Sequence, residues 1–219
     1  MRSRPRIVLL HATEVAIDPI TVAFEKDWPE AEIVNLLDDS LSPDRAQVAQ
    51  LSESLTERFV LLGKYGYTAG ADAILVTCSA FGPAIDRMKE LLPIPVMKPN
   101  EAMFRAALSK GDAIAMIATF EPAIRTMESE FEEFSSETGR NALLDTILVS
   151  EAMTALRSGN VMGHNGIVAS CATKLQPYDA VMLAHFSTSR ASEMLQKRVN
   201  IPVLTAPDSS VQQLRSLFT

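Results

Sequence analysis

The sequence predicts an α/β protein built from two similar halves, each with a four-stranded parallel sheet flanked by helices. Short apolar runs alternate with longer segments of helical periodicity, which is typical of βα units. The two halves of the chain also resemble each other at a nearly constant spacing. The chain has 219 residues, 47% of them hydrophobic, so it can build a core and is not a disordered chain.

Eight short apolar runs predict the strands, four in each half. The runs cover residues 6–10, 31–36, 73–77, 95–97, 113–118, 144–149, 180–184 and 202–205. Helical periodicity covers residues 43–65, 83–92, 122–134 and 189–197. Strands that alternate with helices in this order form a mainly parallel sheet, because each helix returns the chain to the same edge.

The repeat is visible in two pairs of segments. Asp72-Ala-Ile-Leu-Val resembles Asp179-Ala-Val-Met-Leu, and Ile94-Pro-Val resembles Ile201-Pro-Val, both at a spacing of 107 residues. Near the start of each half, Ala12-Thr13 resembles Ala118-Thr119 at a spacing of 106 residues. The sequence therefore predicts two tandem copies that are related by a pseudo-twofold axis.

The predicted division assigns residues 1–97 and 203–219 to the first half and residues 98–202 to the second. In this prediction the last strand and an amphipathic helix over residues 209–218 complete the first half. That helix would bury Val211, Leu214 and Leu217, which lie on one face at helical spacing.

Charge and cysteine spacing exclude several kinds of partner. The chain has 27 acidic against 20 basic residues and no basic run, so nucleic acid is not an expected partner. No apolar stretch reaches the roughly 20 residues that span a bilayer, and no signal peptide is evident, so we expect a cytoplasmic protein without a membrane partner. Cys78 and Cys171 are far apart in sequence, and we expect neither a bound metal nor a disulfide.

Cys78 is the first candidate for catalysis. Ligands of parallel α/β sheets bind beyond the carboxyl ends of the strands, so we expect the active site in a cleft between the two halves. Cys78 follows a predicted strand and precedes a helix near Pro83. The positive end of a helix favours a thiolate, which could remove a proton. Cys171 lies within the helical stretch 167–175, where we expect a buried, structural cysteine.

Two histidines also follow predicted strands. His185 lies 107 residues after Cys78, and an imidazole there could act as a general acid or base. His11 follows the first strand, which gives it a predicted role in binding the substrate. His164 precedes Asn165-Gly166, and we expect it in a loop or at a helix start.

Four hydroxyl groups could hold a carboxylate. Each follows a predicted strand, where hydroxyls and the N–H groups of helix starts bind small anions. They can equally act as helix caps. The sequence lacks the glycine-rich loops of nucleotide-binding proteins, and we expect no cofactor. The four are Thr13, Ser79, Thr119 and Ser187.

The repeated segments resemble the aspartate/glutamate racemase superfamily, whose relatives include hydantoin racemases, maleate isomerases and arylmalonate decarboxylases. The resemblance rests on the segments that start at Asp72 and Asp179 and on the two Ile-Pro-Val strands. It implies two pseudo-symmetric domains, no cofactor, a small carboxylate substrate and a homo-oligomer. It also implies two opposed cysteines. Cys78 matches the first, and His185 stands in place of the second.

These observations favour a racemase or epimerase that acts at the carbon next to a carboxylate, with Cys78 and His185 as its acid–base pair. Two alternatives remain open. A decarboxylase of a malonate-like acid would need only one thiol as proton donor, and a non-catalytic protein would bind a small carboxylate without turnover. The residues do not identify the substrate's side chain.

Overall fold

The computed structural model describes residues 4–48 and 50–219 and has the predicted α/β architecture. The described residues contain two sheets, each with four parallel strands, in the orders β2-β1-β3-β4 and β6-β5-β7-β8. The chain divides into two compact units. The first runs to Asn100 and includes Ser210–Thr219, and the second comprises Glu101–Ser209.

The described residues of the first unit form four strands and four helices that lie wholly within it. The strands are β1 (Arg6–His11), β2 (Glu32–Leu37), β3 (Ala73–Val76) and β4 (Val96–Met97). The helices are α1 (Ile17–Asp27), α2 (Leu41–Ala46), α3 (Glu53–Thr68) and α4 (Gly82–Leu91). The single helix predicted over residues 43–65 is thus two helices. The second of these starts because Ser52 caps it, with its hydroxyl accepting a hydrogen bond from the Leu55 N–H at 3.2 Å.

The second unit contains four strands and five helices that lie wholly within it. The strands are β5 (Ala113–Ala118), β6 (Leu143–Leu148), β7 (Ala180–Leu183) and β8 (Val203–Thr205). The helices are α5 (Glu101–Leu108), α6 (Ile124–Glu137), α7 (Ser150–Arg157), α8 (Val161–Ser170) and α9 (Ser192–Gln196). A last helix, α10 (Ala206–Ser216), begins in the second unit and ends in the first.

The central strands are apolar because helices cover both faces of each sheet. Residues 7–10 of β1 and 114–117 of β5 are fully buried, as are all of β3 and β7. The outer strands β2 and β6 are only partly buried. In the first core the rings of Phe59 and Phe81 stack with centroids 4.3 Å apart. Elsewhere in the second unit, Phe104 and Phe131 meet edge to face with ring centroids 5.4 Å apart.

The repeated aspartates have the same structural role in both units. The Asp72 carboxylate accepts a hydrogen bond from the backbone N–H of Arg6 at 2.7 Å. The Asp179 carboxylate accepts one from the backbone N–H of Ala113 at 3.0 Å. Gly111 is required beside Asp179, because an added Cβ would lie 2.0 Å from its carboxylate. These repeated residues therefore join neighbouring strands and are not candidates for catalysis.

The C-terminal segment differs from the predicted division. Val203–Thr205 pairs in parallel register with β7, so the last strand belongs to the second sheet and not to the first half. Ser210–Thr219 belongs to the first unit, where Arg215 donates a hydrogen bond to the Asp27 carbonyl at 2.7 Å. Val211 and Leu214 are buried as predicted, whereas Leu217 is 51% exposed because α10 ends at Ser216.

Within the described segments, no helix is both long enough and apolar enough to cross a membrane.

Candidate functional site

Cys78 lies at the carboxyl end of β3, in what we call the Cys78 loop (residues 77–81). Its backbone is extended, with φ −128° and ψ 118°, and it caps a 3-10 turn, Ser79–Phe81, that leads into α4. The side chain is half-buried and packs against the core of the first unit. The predicted strand-to-helix turn is therefore present, with one 3-10 turn between the cysteine and the α-helix.

Cys171 is in a different environment. It begins a 3-10 turn after α8 and is buried in the core of the second unit. Burial raises the pKa of its thiol, and Lys174 offsets this effect only in part. Neither cysteine forms a disulfide. Of the two thiols, only Cys78 lies at a strand end where ligands of this fold class bind.

His11 is enclosed in the first unit beneath the Cys78 loop. Its Nδ1 lies 2.8 Å from the Thr77 hydroxyl, and its Nε2 lies 2.9 Å from Asn35 Oδ1. The residue is fully buried, and this burial lowers the pKa of the imidazole below its usual value. A neutral imidazole satisfies both contacts if Nε2–H donates to Asn35 and Nδ1 accepts from Thr77. Both ring nitrogens therefore have partners within the unit.

Two predicted carboxylate-binding hydroxyls lie at the same edge of the first sheet. Thr13 occupies the N-cap position of the 3-10 turn Glu14–Ala16 and has an extended backbone. Its side chain makes no capping hydrogen bond to that turn. Ser79 directly follows Cys78 and is half-buried. Since β1 and β3 are adjacent and parallel, both residues follow the carboxyl ends of neighbouring strands.

His185 lies at the carboxyl end of β7, in what we call the His185 loop (residues 184–191). Its backbone has φ 68° and ψ 150°, and it is the only non-glycine residue with positive φ in the described part of the chain. An L-residue reaches this region only at a cost of order 1–3 kcal/mol. The surrounding fold must therefore impose this conformation.

The His185 imidazole is neutral near physiological pH. Burial lowers its pKa to about 4. Its Nε2 atom is enclosed and has no hydrogen-bond partner within the described residues. The ring meets the edge of Phe120 with centroids 6.5 Å apart, and the guanidinium of Arg157 lies 5.9 Å from the centroid of Phe120. The imidazole can accept a proton, but its charged form is strongly disfavoured.

The remaining predicted hydroxyls lie near His185 and are buried. The Thr119 hydroxyl lies 3.3 Å from that of Thr188, and Thr119 is only 1% exposed. Ser187 lies in the 3-10 segment Phe186–Ala191 that follows His185. Thr119 thus has a partner inside its own unit, and its contact with a ligand stays a prediction.

The repeat relates Cys78 to His185 but does not relate Thr13 to Thr119. Cys78 and His185 each precede a 3-10 segment at the end of the equivalent strand, 107 residues apart. The 3-10 turns Glu14–Ala16 and Glu121–Ala123 have the same spacing. Thr13 therefore corresponds to Phe120, and the predicted pairing with Thr119 was one residue out of register.

The structure adds residues that the sequence analysis did not select. In the first unit these are Thr77 and Asn35, and in the second they are Phe120, Arg157 and Thr188. Thr77 directly precedes Cys78 and Phe120 directly follows Thr119, so adjacency to a selected residue was the available signal. His164, expected in a loop or at a helix start, is the fourth residue of α8 and lies in its first turn, where it is fully buried with Nδ1 2.8 Å from Asn165 Oδ1.

Metal ligation has no candidate in residues 4–48 and 50–219. No group of three or more histidine, cysteine, aspartate or glutamate side chains there could hold an ion.

The sequence matches the family model described as Asp/Glu/Hydantoin racemase over residues 10–155. No curated protein sequence matches the chain significantly.

Solved structures of several racemases share the fold. Allantoin racemase from Klebsiella pneumoniae superposes with a TM-score of 0.73 at 15% identity, covering 98% of this chain and 87% of that one. Aspartate racemase from Picrophilus torridus gives 0.71 at 14% identity, with 98% and 94% covered. Glutamate racemase from Francisella tularensis, in complex with D-glutamate, gives 0.70 at 17% identity, with 98% and 81% covered. At these identities the likeness establishes the fold.

Proposed function

This chain belongs to the Asp/Glu/hydantoin racemase family, and on that premise we propose that it is a cofactor-independent racemase or epimerase of a small carboxylic acid. Racemases are isomerases, and the family membership makes the protein a racemase-type isomerase. The observation that carries the proposal is the equivalence of Cys78 and His185, one acid–base group at the same strand end of each unit. The reacting atom would be the carbon next to the carboxylate.

A thiol and an imidazole can move the two protons that inversion requires. In one direction the neutral imidazole of His185 takes the proton from the carbon and becomes imidazolium, while the Cys78 thiol gives a proton to the opposite face and becomes thiolate. In the other direction the thiolate takes the proton and the imidazolium returns one. The total proton count is the same in both states, and one proton transfer between the pair restores the starting form. The lowered pKa of His185 favours the thiol–imidazole form at rest.

The carbanion needs stabilisation, because a proton next to a carboxylate is only weakly acidic. Hydroxyls and backbone N–H groups at helix starts can supply it where negative charge develops. Thr13, which makes no capping bond, is the best placed of the predicted hydroxyls. Ser79 and Ser187 follow the two acid–base residues, and Thr119 completes the proposed set.

The proposed chemistry supports one substrate class, and the aspartate and glutamate racemases among the relatives agree with it. The superposed racemases act on aspartate, glutamate and allantoin by their names, and one of them holds D-glutamate. We propose for this chain an amino acid or a related small acid with hydrogen on the carbon next to the carboxyl group.

Exchange in deuterated water tests the proposal. The protein is incubated with a panel that includes both enantiomers of aspartate and glutamate, allantoin, and phenylmalonate. The loss of the substrate's α-hydrogen signal is followed by NMR, and inversion by optical rotation. We expect exchange with inversion for at least one α-hydrogen acid. No exchange with any acid of this class would contradict the proposal.

The second candidate function, a cofactor-free decarboxylase, is favoured by the state of His185. Its imidazole is neutral and its Nε2 is enclosed, so Cys78 could be the sole proton donor. A decarboxylase breaks the bond to CO₂ and then needs one proton for the carbanion, which a single thiol supplies. Release of CO₂ from phenylmalonate without exchange of α-hydrogen acids would favour this function. Thermal stabilisation by these acids without either reaction would favour a carboxylate-binding protein.

A homo-oligomer remains a prediction from the resemblance. Light scattering over a range of protein concentrations tests it, and a monomer throughout would exclude it.

A further inference from the structure

We propose that His11 and Thr77 are positioning residues that hold Cys78 at the end of β3, an inference that rests on the function proposed above. Three side chains carry the inference, and they form a bridge at the carboxyl ends of the strands of the first sheet. Asn35 of β2 contacts His11 of β1, and His11 contacts Thr77, the residue before Cys78. We call these three residues the His11 bridge. In this assignment His11 acts through Thr77 and not by contact with a ligand.

The contacts within the bridge are short, and two of its three residues are buried, whereas Asn35 is exposed. Both contacts of His11 are below 3.0 Å, at 2.8 Å and 2.9 Å. His11 is fully buried and Thr77 is 7% exposed. Burying an imidazole and a hydroxyl is costly unless each polar atom has a partner, and here each has one. The Thr77 hydroxyl also lies 3.3 Å from the Leu10 carbonyl, which is an alternative acceptor for its proton. The bridge restricts the arrangement of these side chains, because moving the imidazole away would leave its buried nitrogens unpaired.

The second unit shows that the fold does not need this bridge. By the 107-residue spacing, His11 corresponds to Ala118 and Thr77 to Ala184. The backbone bond at this edge is nevertheless the same in both units. The Thr77 N–H donates to the Leu10 carbonyl at 3.0 Å, and the Ala184 N–H donates to the Ile117 carbonyl at 2.9 Å. This backbone bond therefore forms equally well when alanines stand in place of His11 and Thr77.

Thr146, the counterpart of Asn35, bonds to a different partner. Asn35 pairs with Leu9 in the sheet, as Thr146 pairs with Met116. The Thr146 hydroxyl donates to the Glu128 carboxylate at 2.6 Å, away from the strand end. The bridge is thus present only in the unit that contains Cys78, which is the observation that assigns it to the cysteine.

The backbone conformation of the residue that follows the bridge position also differs between the two units. Cys78, next to the bridged Thr77, keeps an extended conformation, whereas His185, next to Ala184, has positive φ. Fixing the Thr77 side chain fixes the direction in which the chain leaves β3. It therefore also fixes the position of the Cys78 sulfur beside the turn Ser79–Phe81. Loss of the bridge should let residue 78 move away from its position at the strand end.

Alanine substitutions that copy the second unit provide the test. In Thr77→Ala and His11→Ala, we expect iodoacetamide to alkylate Cys78 about fivefold more slowly at neutral pH, since one neutral hydrogen bond is worth about that factor. Thr77→Ser keeps the hydroxyl, and His11→Asn keeps an acceptor at the place of Nδ1, so both should react within about twofold of wild type. Peptide mass spectrometry follows Cys78, with Cys171 as the internal reference.

Thr56→Ala is the matched control. Thr56 is buried in the same unit, and its hydroxyl donates to the Ser52 carbonyl at its own helix start, at 3.0 Å. A general loss of stability would affect this variant as much as Thr77→Ala, but alkylation of Cys78 should not change. Equal or faster alkylation in Thr77→Ala, or a Thr77→Ser variant as slow as Thr77→Ala, would overturn the proposal.

Turnover provides a second measurement. In the exchange reaction, Thr77→Ala should lower kcat about fivefold and leave KM unchanged, because the residue does not contact the ligand. If wild type exchanges no acid, the proposed function fails, and the alkylation rates still decide the role of the bridge. If wild type is active while Thr77→Ala keeps both its alkylation rate and its kcat, the bridge proposal fails and the function stands.

Discussion

Cys78 and His185 lie at equivalent strand ends, yet the φ angle is −128° at Cys78 and 68° at His185. The sequence repeat relates the two positions, but it does not fix the direction in which each side chain leaves the backbone. The two groups also differ in exposure, because the thiol is half-buried and the imidazole Nε2 is enclosed.

The strain at His185 should be measurable by substitution. Glycine adopts positive φ without a Cβ clash, so His185→Gly should have a higher free energy of unfolding than His185→Ala, by about 1 kcal/mol. Urea unfolding of both variants measures the difference. The same pair of substitutions at Cys78, where the backbone is extended, should show the opposite order. A His185→Ala variant that is as stable as His185→Gly, or more stable, would contradict the strain.

Stability should fall as the pH is lowered from about 6.5 to about 4. The pKa of His185 is lowered from its usual value near 6.5 to about 4, so between these values the unfolded chain binds a proton that the folded chain does not. The free energy of unfolding therefore decreases towards acid pH, by up to about 3 kcal/mol, and this term is constant above 6.5.

The variant His185→Gln should lack that part of the pH dependence. The buried His11, whose pKa is also lowered, remains in the variant, so subtraction of the two profiles isolates His185. Urea unfolding at a series of pH values gives both curves. Parallel curves for wild type and variant would show that His185 titrates normally in the folded protein.

Cys78 should be the reactive thiol. We expect iodoacetamide to alkylate it at least about tenfold faster than Cys171, whose thiol is buried and has a raised pKa. Cys78→Ser should abolish exchange, because the hydroxyl is a far weaker acid–base group than the thiol, whereas Cys171→Ser should keep it. Exchange that survives Cys78→Ser would remove the thiol from the mechanism.

The Thr13 hydroxyl should contribute to carboxylate binding. Since it makes no capping bond, its loss in Thr13→Val should weaken the binding of the most active acid of the exchange panel by about 1 kcal/mol, a factor of about five. Thr13→Ser should restore the affinity, and Thr56→Val, in the same unit, should not change it. Calorimetric titration measures all three, and equal affinities in wild type and Thr13→Val would exclude the contact.

The sequence by itself predicted the eight strands, the repeat and the equivalence of Cys78 and His185. It could do so because strands covered on both faces must be continuous apolar runs, which are a local signal. The repeat spacing then gives each position of one half its counterpart in the other half. The same reasoning made Thr119 the counterpart of Thr13, whereas the structure gives Phe120. A match of two residues beside a strand can be shifted by one position.

The tertiary structure decided which side chains meet. His11 lies 24 residues from Asn35 and 66 from Thr77, and only the pairing of β1 with β2 and β3 brings the three together. Pairing also placed Val203–Thr205 in the second sheet. The positive φ of His185 has no sequence signal, because it is imposed by the packing around the His185 loop. Contacts between distant segments depend on which strands pair, and the residue pattern of one strand does not name its partner.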